Sequence, residues 1–123
     1  MTFSVRSSVN TEKIALIEAL KTVGEKYGAA YTETGAYPAW EYKKESKLRD
    51  VMVDVFENLY GRKPVVEAIH AGLECGLFSD KIPGLDCVSF GPDMQDIHTT
   101  RERLNLASAN RTWKYLLAVL ARL

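Results

Sequence analysis

The chain has 123 residues, 46% hydrophobic and 26% charged, which is the composition of an ordinary globular domain. Its 16 basic and 16 acidic side chains cancel, so nothing in the charge balance steers it toward nucleic acid or an acidic membrane surface. No apolar run reaches the roughly 20 residues of a membrane span, no secretory leader opens the chain, and the two cysteines favour a reducing, cytoplasmic compartment.

The first part of the chain predicts a strand, a helix and a second extended segment. Residues 3–7 alternate apolar and polar side chains, as a half-buried strand does. Residues 11–27 have helical periodicity, with Asn10 as the expected N-cap. Residues 30–40 read as extended chain. The predicted apolar face of the helix consists of Leu16, Leu20, Val23 and Tyr27.

The strongest helical pattern covers residues 46–60. Ser46 is the expected N-cap, and Gly61 is the expected glycine after the last turn. The apolar residues recur every three or four positions, which is one stripe of a 3.6-residue helix. They are Leu48, Val51, Met52, Val55, Phe56 and Leu59.

The rest of the chain alternates strands with helices. Strands are expected at residues 64–69 and 86–90, with a short helix near 72–78 between them. A final helix is expected at about 108–122, capped by Ser108. The alternation predicts that the two strands are parallel. The predicted apolar stripe of the final helix consists of Trp113, Leu116, Leu117, Leu120 and Leu123.

The polar residues 41–47 separate these two parts of the chain. Each part has two strands, whereas stable sheets usually have more strands, and parallel sheets are covered on both faces. We therefore expect either a piece of a larger fold or a chain that assembles with copies of itself.

The most informative polar loop comprises residues 89–100. It follows a predicted strand, so His98 would lie beyond the carboxyl end of that strand, where open α/β sheets bind ligands. An imidazole there can ligate zinc while Asp96 or Glu102 orients its other nitrogen. A surface histidine in a polar loop is the alternative, because one histidine does not make a zinc site.

A second candidate loop comprises residues 69–76. Gly72 allows the backbone to approach a ligand closely, and Glu74 and His70 can hydrogen-bond a substrate. The alternative is a tight turn with a capping glutamate. Arg6, in the first strand, either grips a substrate carboxylate or lies solvated on the outer face.

The run from Ile69 to His98 contains HAGLECG and GPDMQDIH and resembles the C-terminal part of the Xaa-His dipeptidases. These enzymes, also called aminoacyl-histidine dipeptidases or bacterial carnosinases, are dinuclear zinc peptidases related to peptidase T and carboxypeptidase G. The opening FSVRSS and the tail HTTRERLNLASANRTW are similar to the same family. The resemblance therefore covers essentially the whole chain.

The resemblance implies an α/β fold class with two domain remnants. Residues 1–42 look like the second half of a smaller α+β lid, and residues 43–123 look like the C-terminal part of the catalytic zinc-exopeptidase domain. His98 matches the family's last zinc ligand, and Arg6 matches a lid arginine that grips the substrate carboxylate. The matches to the loop that lines the substrate site are Gly72, Leu73 and Glu74.

The implied reaction is hydrolysis of a dipeptide with a C-terminal histidine, by a zinc-bridging water and a carboxylate base. The family's His-x-Asp pair, bridging Asp, Glu-Glu pair and further Asp ligand have no counterpart here, and Thr100 replaces the usual Pro. We therefore expect the chain alone to be inactive and to hold neither of the two zinc ions stably.

The alternative to a dipeptidase fragment is a stand-alone structural or self-association module derived from the same fold. On either account we expect a homodimer or other self-association, because uncovered apolar faces and strand edges favour pairing. Neither nucleic acid nor a membrane is an expected partner.

Overall fold

The computed structural model describes residues 1–70 and 73–123, and it contains four helices and one two-stranded sheet within those ranges. The mixed helix-and-strand fold class predicted from the sequence is confirmed. Across these described residues, none of the helices combines the length and apolar character required to cross a membrane. The elements are α1 Asn10–Lys26, α2 Lys47–Tyr60, α3 Glu74–Lys81, β1 Met94–Gln95, β2 Arg103–Leu104 and α4 Leu106–Leu120.

The chain forms two compact units, each built from two stretches of sequence. The first unit comprises Met1–Lys44 and Val66–Leu85, and the second comprises Glu45–Val65 and Asp86–Leu123. The assignment of residues 1–42 to a lid and 43–123 to a catalytic domain stays a prediction.

The core of the second unit lies between α2 and α4. Met52 and Val55 of α2 and Tyr115 and Val119 of α4 are its buried members, each at most 8% exposed. The Tyr115 hydroxyl donates a hydrogen bond of 2.7 Å to the carbonyl of Met52. Phe90 packs edge-on against the Tyr115 ring at 5.4 Å between ring centroids. A second hydrogen bond, from the Tyr60 hydroxyl to the Arg111 carbonyl at 3.1 Å, joins the same two helices. Hydrogen bonds and one apolar cluster thus hold α2 and α4 together.

The ends of α2 confirm the prediction at both caps. The Ser46 hydroxyl oxygen accepts a hydrogen bond from the Arg49 backbone at 3.0 Å, and Gly61 adopts the left-handed conformation with φ 67°. Asp86 adds a second tie, because its carboxylate accepts from the Ser46 hydroxyl at 2.6 Å and from the Leu48 amide at 3.0 Å.

The predicted cap and face of the last helix are wrong. Asn105, not Ser108, caps α4 by accepting from the Ser108 amide at 3.0 Å. The helix is apolar on two sides, and α2 packs on the side that carries Tyr115 and Val119. Periodicity alone cannot choose between two apolar faces. Four members of the predicted stripe are consequently exposed: Trp113, Leu117, Leu120 and Leu123.

In the first unit, the start of α1 holds the extended segment near residue 38. Val9, not Asn10, is the N-cap; the Asn10 side-chain oxygen instead accepts from the Ala39 amide at 3.2 Å. Lys13 is 7% exposed, donates to the Tyr37 carbonyl, and lies over the Tyr37 ring. The cap prediction fails because Asn10 is recruited by a distant segment.

The short helix of the first unit begins later than predicted, at Glu74, and depends on a glycine. A Cβ at Gly76 would lie 3.3 Å from both the Pro38 carbonyl oxygen and the Trp40 Cβ. A side chain at this position would therefore require a small shift of its neighbours.

The predicted strands are the largest departure. Within the described ranges, residues 3–7, 64–69 and 86–90 belong to no helix or sheet, and the expected parallel pairing is not formed. The sheet is instead an antiparallel hairpin, β1 with β2, inside a stretch expected to be a loop. A strand is defined by its hydrogen-bonded neighbour, so an alternating pattern without such a neighbour stays extended chain.

Candidate functional site

His98 lies in the turn of the β1–β2 hairpin. The register pairs Met94 with Leu104 and Gln95 with Arg103, which leaves residues 96–102 as the connecting loop. His98 is exposed and has a left-handed backbone with φ 65°. The hairpin therefore presents the imidazole to its surroundings.

Both carboxylates predicted to support His98 lie in this loop. Glu102 accepts a hydrogen bond from the His98 backbone amide at 3.0 Å. Asp96 forms an ion pair of 2.9 Å with Arg103. The two carboxylates thus bond to the loop backbone and to Arg103, and their role in orienting the imidazole stays a prediction.

The base of the hairpin is anchored to α4. The Asp93 amide donates to the buried Ser108 hydroxyl at 2.8 Å, and the Asn105 amide donates to the Asp93 carbonyl at 3.0 Å. Arg111 adds a 3.4 Å ion pair to Asp93. Because α4 packs on α2, this anchoring connects the His98 loop to the core of its unit.

The donor chemistry of His98 fits one position of a zinc site, since a neutral imidazole nitrogen is a common zinc ligand. Zinc sites use three or four protein ligands. In the part of the chain that the structure describes, no group of three or more His, Cys, Asp or Glu side chains is placed to hold a metal ion. The assignment of His98 as a metal ligand therefore stays a prediction.

The described residues that the sequence predicts to bind substrate belong to the first unit. Arg6 is exposed in the extended opening segment, Leu73 is the N-cap of α3, and Glu74 is the exposed first residue of that helix. The Ser8 amide donates to the His70 imidazole Nδ1 at 2.9 Å, which ties the opening segment to the chain just before Leu73.

Gly72 lies outside the described residues. The structure thus connects the Arg6 and Leu73 segments within one unit and gathers His98, Asp96 and Glu102 within the other. A joint site of the two groups stays a prediction.

Sequence reasoning missed Arg103 and Asn105. A signal for Asn105 was present, because an amide side chain before Leu106 and three residues before Ser108 is a typical N-cap arrangement. Arg103 had no comparable signal, since its role depends on a hairpin of two-residue strands.

Comparison with known proteins shows which proteins the chain resembles in sequence and fold. No family model matches the chain. The cytosol non-specific dipeptidase of Escherichia coli (strain K12) is 32% identical over 116 residues, which are 94% of this chain and 24% of that protein. The crystal structure of aminoacylhistidine dipeptidase from Vibrio alginolyticus matches with a TM-score of 0.79 and 34% identity, over 95% of this chain and 24% of that one.

The chain therefore spans about a quarter of the length of the relatives it matches. The similarity covers nearly every residue of the chain, including the His98 hairpin, at the level of both sequence and fold. The resemblance predicted from the motifs is confirmed as a similarity: nearly the whole chain matches about a quarter of two dipeptidases, one of them an aminoacylhistidine dipeptidase.

Proposed function

We propose that this chain is a segment of a cytosolic zinc dipeptidase that hydrolyses Xaa-His dipeptides. The observation that carries the proposal is the match of at least 94% of the chain to two dipeptidases. The proposed activity follows from the dipeptidase activity named for both relatives, and the proposed location follows from the cytosolic name of the Escherichia coli protein.

Within that activity, His98 is the residue of this chain that ligates metal. Its exposed imidazole on an anchored hairpin provides a nitrogen donor. Arg6 binds the carboxylate of the dipeptide, because a guanidinium offers two parallel donors to a carboxylate. The loop that lines the substrate site includes Leu73 and Glu74. Zinc, when bound, polarises the scissile carbonyl and lowers the pKa of a bound water.

The chain by itself is proposed to be inactive. One imidazole cannot satisfy two zinc ions that each require three or four ligands. Purified chain supplied with zinc should show no hydrolysis of Xaa-His dipeptides. Turnover at the rate of the Vibrio alginolyticus enzyme would contradict this part of the proposal.

A chimaera tests the proposed role directly. The quarter of the Vibrio alginolyticus enzyme that matches this chain would be replaced by the chain. We expect the chimaera to hold two zinc ions and to hydrolyse Xaa-His dipeptides. A matched His98→Ala chimaera should lose about one equivalent of zinc and nearly all activity. Unchanged zinc content in that variant would exclude His98 as a ligand.

A self-association module is the second candidate, and the accessible surface favours it. The chain exposes 9754 Å². A folded monomer of its mass exposes about 6,600 Å², and even two separate units of half that mass would expose about 8,000 Å² together. The excess includes apolar side chains of α4, such as Trp113 at 58% and Leu120 at 59% exposure.

Sedimentation velocity across a hundredfold range of concentration tests this candidate. A module that covers its apolar surface with a second copy should shift from monomer to dimer as concentration rises. A Trp113→Gln, Leu120→Gln variant should stay monomeric at the same concentrations. A monomer throughout the range for the unmodified chain would exclude the second candidate.

A further inference from the structure

We propose that Glu102 is a positioning residue that holds the backbone of His98 in its left-handed conformation, with the Asp96–Arg103 ion pair in a supporting role. The inference rests on the proposed function of His98 as a metal ligand, because positioning matters only if the imidazole must meet a metal.

The loop concentrates unfavourable backbone conformations around the candidate ligand. Asp96 has φ 52° and His98 has φ 65°, and both are residues with a Cβ. Aspartate and histidine occupy the left-handed region more often than most residues, but it costs them more than it costs glycine, and it persists where the surroundings determine it. Glycine would adopt these backbone conformations at a lower steric cost. A contact that stabilises the left-handed backbone of His98 would offset the cost of its Cβ.

Glu102 supplies that contact. Its carboxylate oxygen Oε2 accepts from the His98 amide at 3.0 Å, and its own amide donates to the Thr99 carbonyl at 3.2 Å. The carboxylate therefore approaches from across the loop, held by its own backbone. A hydrogen bond to an ionised acceptor is stronger than one between neutral groups.

The Asp96–Arg103 pair closes the base of the loop. Arg103 is paired in register with Gln95, the residue next to Asp96, so the 2.9 Å ion pair spans the point where the strands part. The two side chains are 47% and 68% exposed, and such surface pairs contribute little free energy. This is why we assign the main role to Glu102.

The backbone conformation of His98 determines the direction of its imidazole. The Cα–Cβ direction of a residue follows from its φ and ψ, so a return of His98 to negative φ would turn its side chain. Metal ligands function only when held close to the productive geometry. Glu102 thus sets where the His98 nitrogen donors point without contacting the metal itself.

The experiment uses the full 123-residue chain without metal. NMR would report the exchange rate of the His98 amide and the χ1 averaging of its imidazole in Glu102→Ala and Glu102→Gln variants. Arg101→Ala is the matched control, because the hydrogen bond of Arg101 to Thr99 uses its backbone.

We expect Glu102→Ala to speed His98 amide exchange roughly tenfold or more and to average χ1, because a charge-assisted bond is lost. Glu102→Gln retains an accepting oxygen and should rescue both readouts, and Arg101→Ala should match the unmodified chain. The second unit should stay folded in every variant.

The proposal is overturned if Glu102→Ala leaves both readouts unchanged, if Glu102→Gln behaves like Glu102→Ala, or if His98 changes only when the whole unit unfolds. Because no metal is present, this result is independent of the zinc content of the His98→Ala chimaera. Failure of the positioning role and failure of the ligand role are therefore distinguishable.

Discussion

His98 combines an exposed imidazole with a backbone conformation that glycine would adopt more easily. The left-handed conformation costs a residue with a Cβ about 1–2 kcal/mol. In a loop under selection for stability alone, glycine or asparagine would be the usual choice. A histidine at such a position is therefore consistent with a functional requirement for its side chain.

Comparison of two substitutions isolates this backbone cost. His98→Gly and His98→Ala both remove the imidazole, but only glycine removes the Cβ. We expect the glycine variant to be more stable than the alanine variant by about 1 kcal/mol. Urea unfolding followed by tryptophan fluorescence measures the difference, and equal midpoints would show that the loop relaxes without cost.

Tyr115 is the polar residue of the core. Its hydroxyl donates to the Met52 carbonyl, and its ring contacts Phe56 and Phe90. We expect Tyr115→Phe to lower the free energy of unfolding by about 1 kcal/mol, because one buried hydrogen bond is lost while the ring remains. Tyr27→Phe, at a residue 78% exposed, is the control and should have no measurable effect.

Tyr115 also predicts an alkaline limit of stability. Burial, and secondarily the nearby Tyr60, raises the pKa of Tyr115 above 10.0. A raised pKa in the folded state means that its stabilising contribution is complete below about pH 10 and is lost as pH rises through the folded value. Unfolding midpoints measured between pH 8 and 11 should fall less steeply in Tyr115→Phe than in the unmodified chain.

At the scale of elements, α2 could be predicted from sequence and α4 only in part. The pattern of α2 has a single apolar stripe, a capping serine and a closing glycine, and all three signals agree. The α4 pattern is apolar on two sides, so the packed face depended on α2. The hairpin escaped prediction because its strands have two residues each, too few to show an alternation.

The cap of α4 connects this element to the candidate site. Asn105 caps the helix and its amide also pairs with Asp93 at the base of the His98 hairpin. We expect Asn105→Ala to cost about 1 kcal/mol of stability, and Asn105→Ser to recover most of it, because serine is an equivalent cap. Thermal unfolding by circular dichroism measures both. Equal losses would show that the cap interaction is not the cause.

At the scale of the whole molecule, two features have the same explanation. They are the predicted strands that pair with no neighbour and the accessible surface in excess of that of a folded monomer. Residues 64–69 have the composition of a strand, yet Val65 and Val66 are 79% and 46% exposed. The relatives that match this chain are about four times as long. On the proposed function, these segments are strands whose neighbours lie in the rest of the dipeptidase.

Hydrogen exchange tests this interpretation. The amides of Val65 and Val66 should exchange at nearly unprotected rates in the isolated chain, because extended residues without a neighbour leave their amides to water. In the dipeptidase chimaera the same amides should be protected at least a hundredfold. Similar protection in both proteins would exclude missing strand neighbours as the explanation.

The sequence by itself predicted the resemblance to dipeptidases, the helical segments and the candidate residues His98, Arg6 and Glu74, because motifs and 3.6-residue periodicity are local properties of the chain. Tertiary structure decided which face of α4 is buried, which side chains cap α1 and α4, and which extended segments pair. These outcomes depend on partners distant in sequence. The left-handed backbone of His98, and the carboxylate of Glu102 that bonds its amide, are visible only once the hairpin has formed.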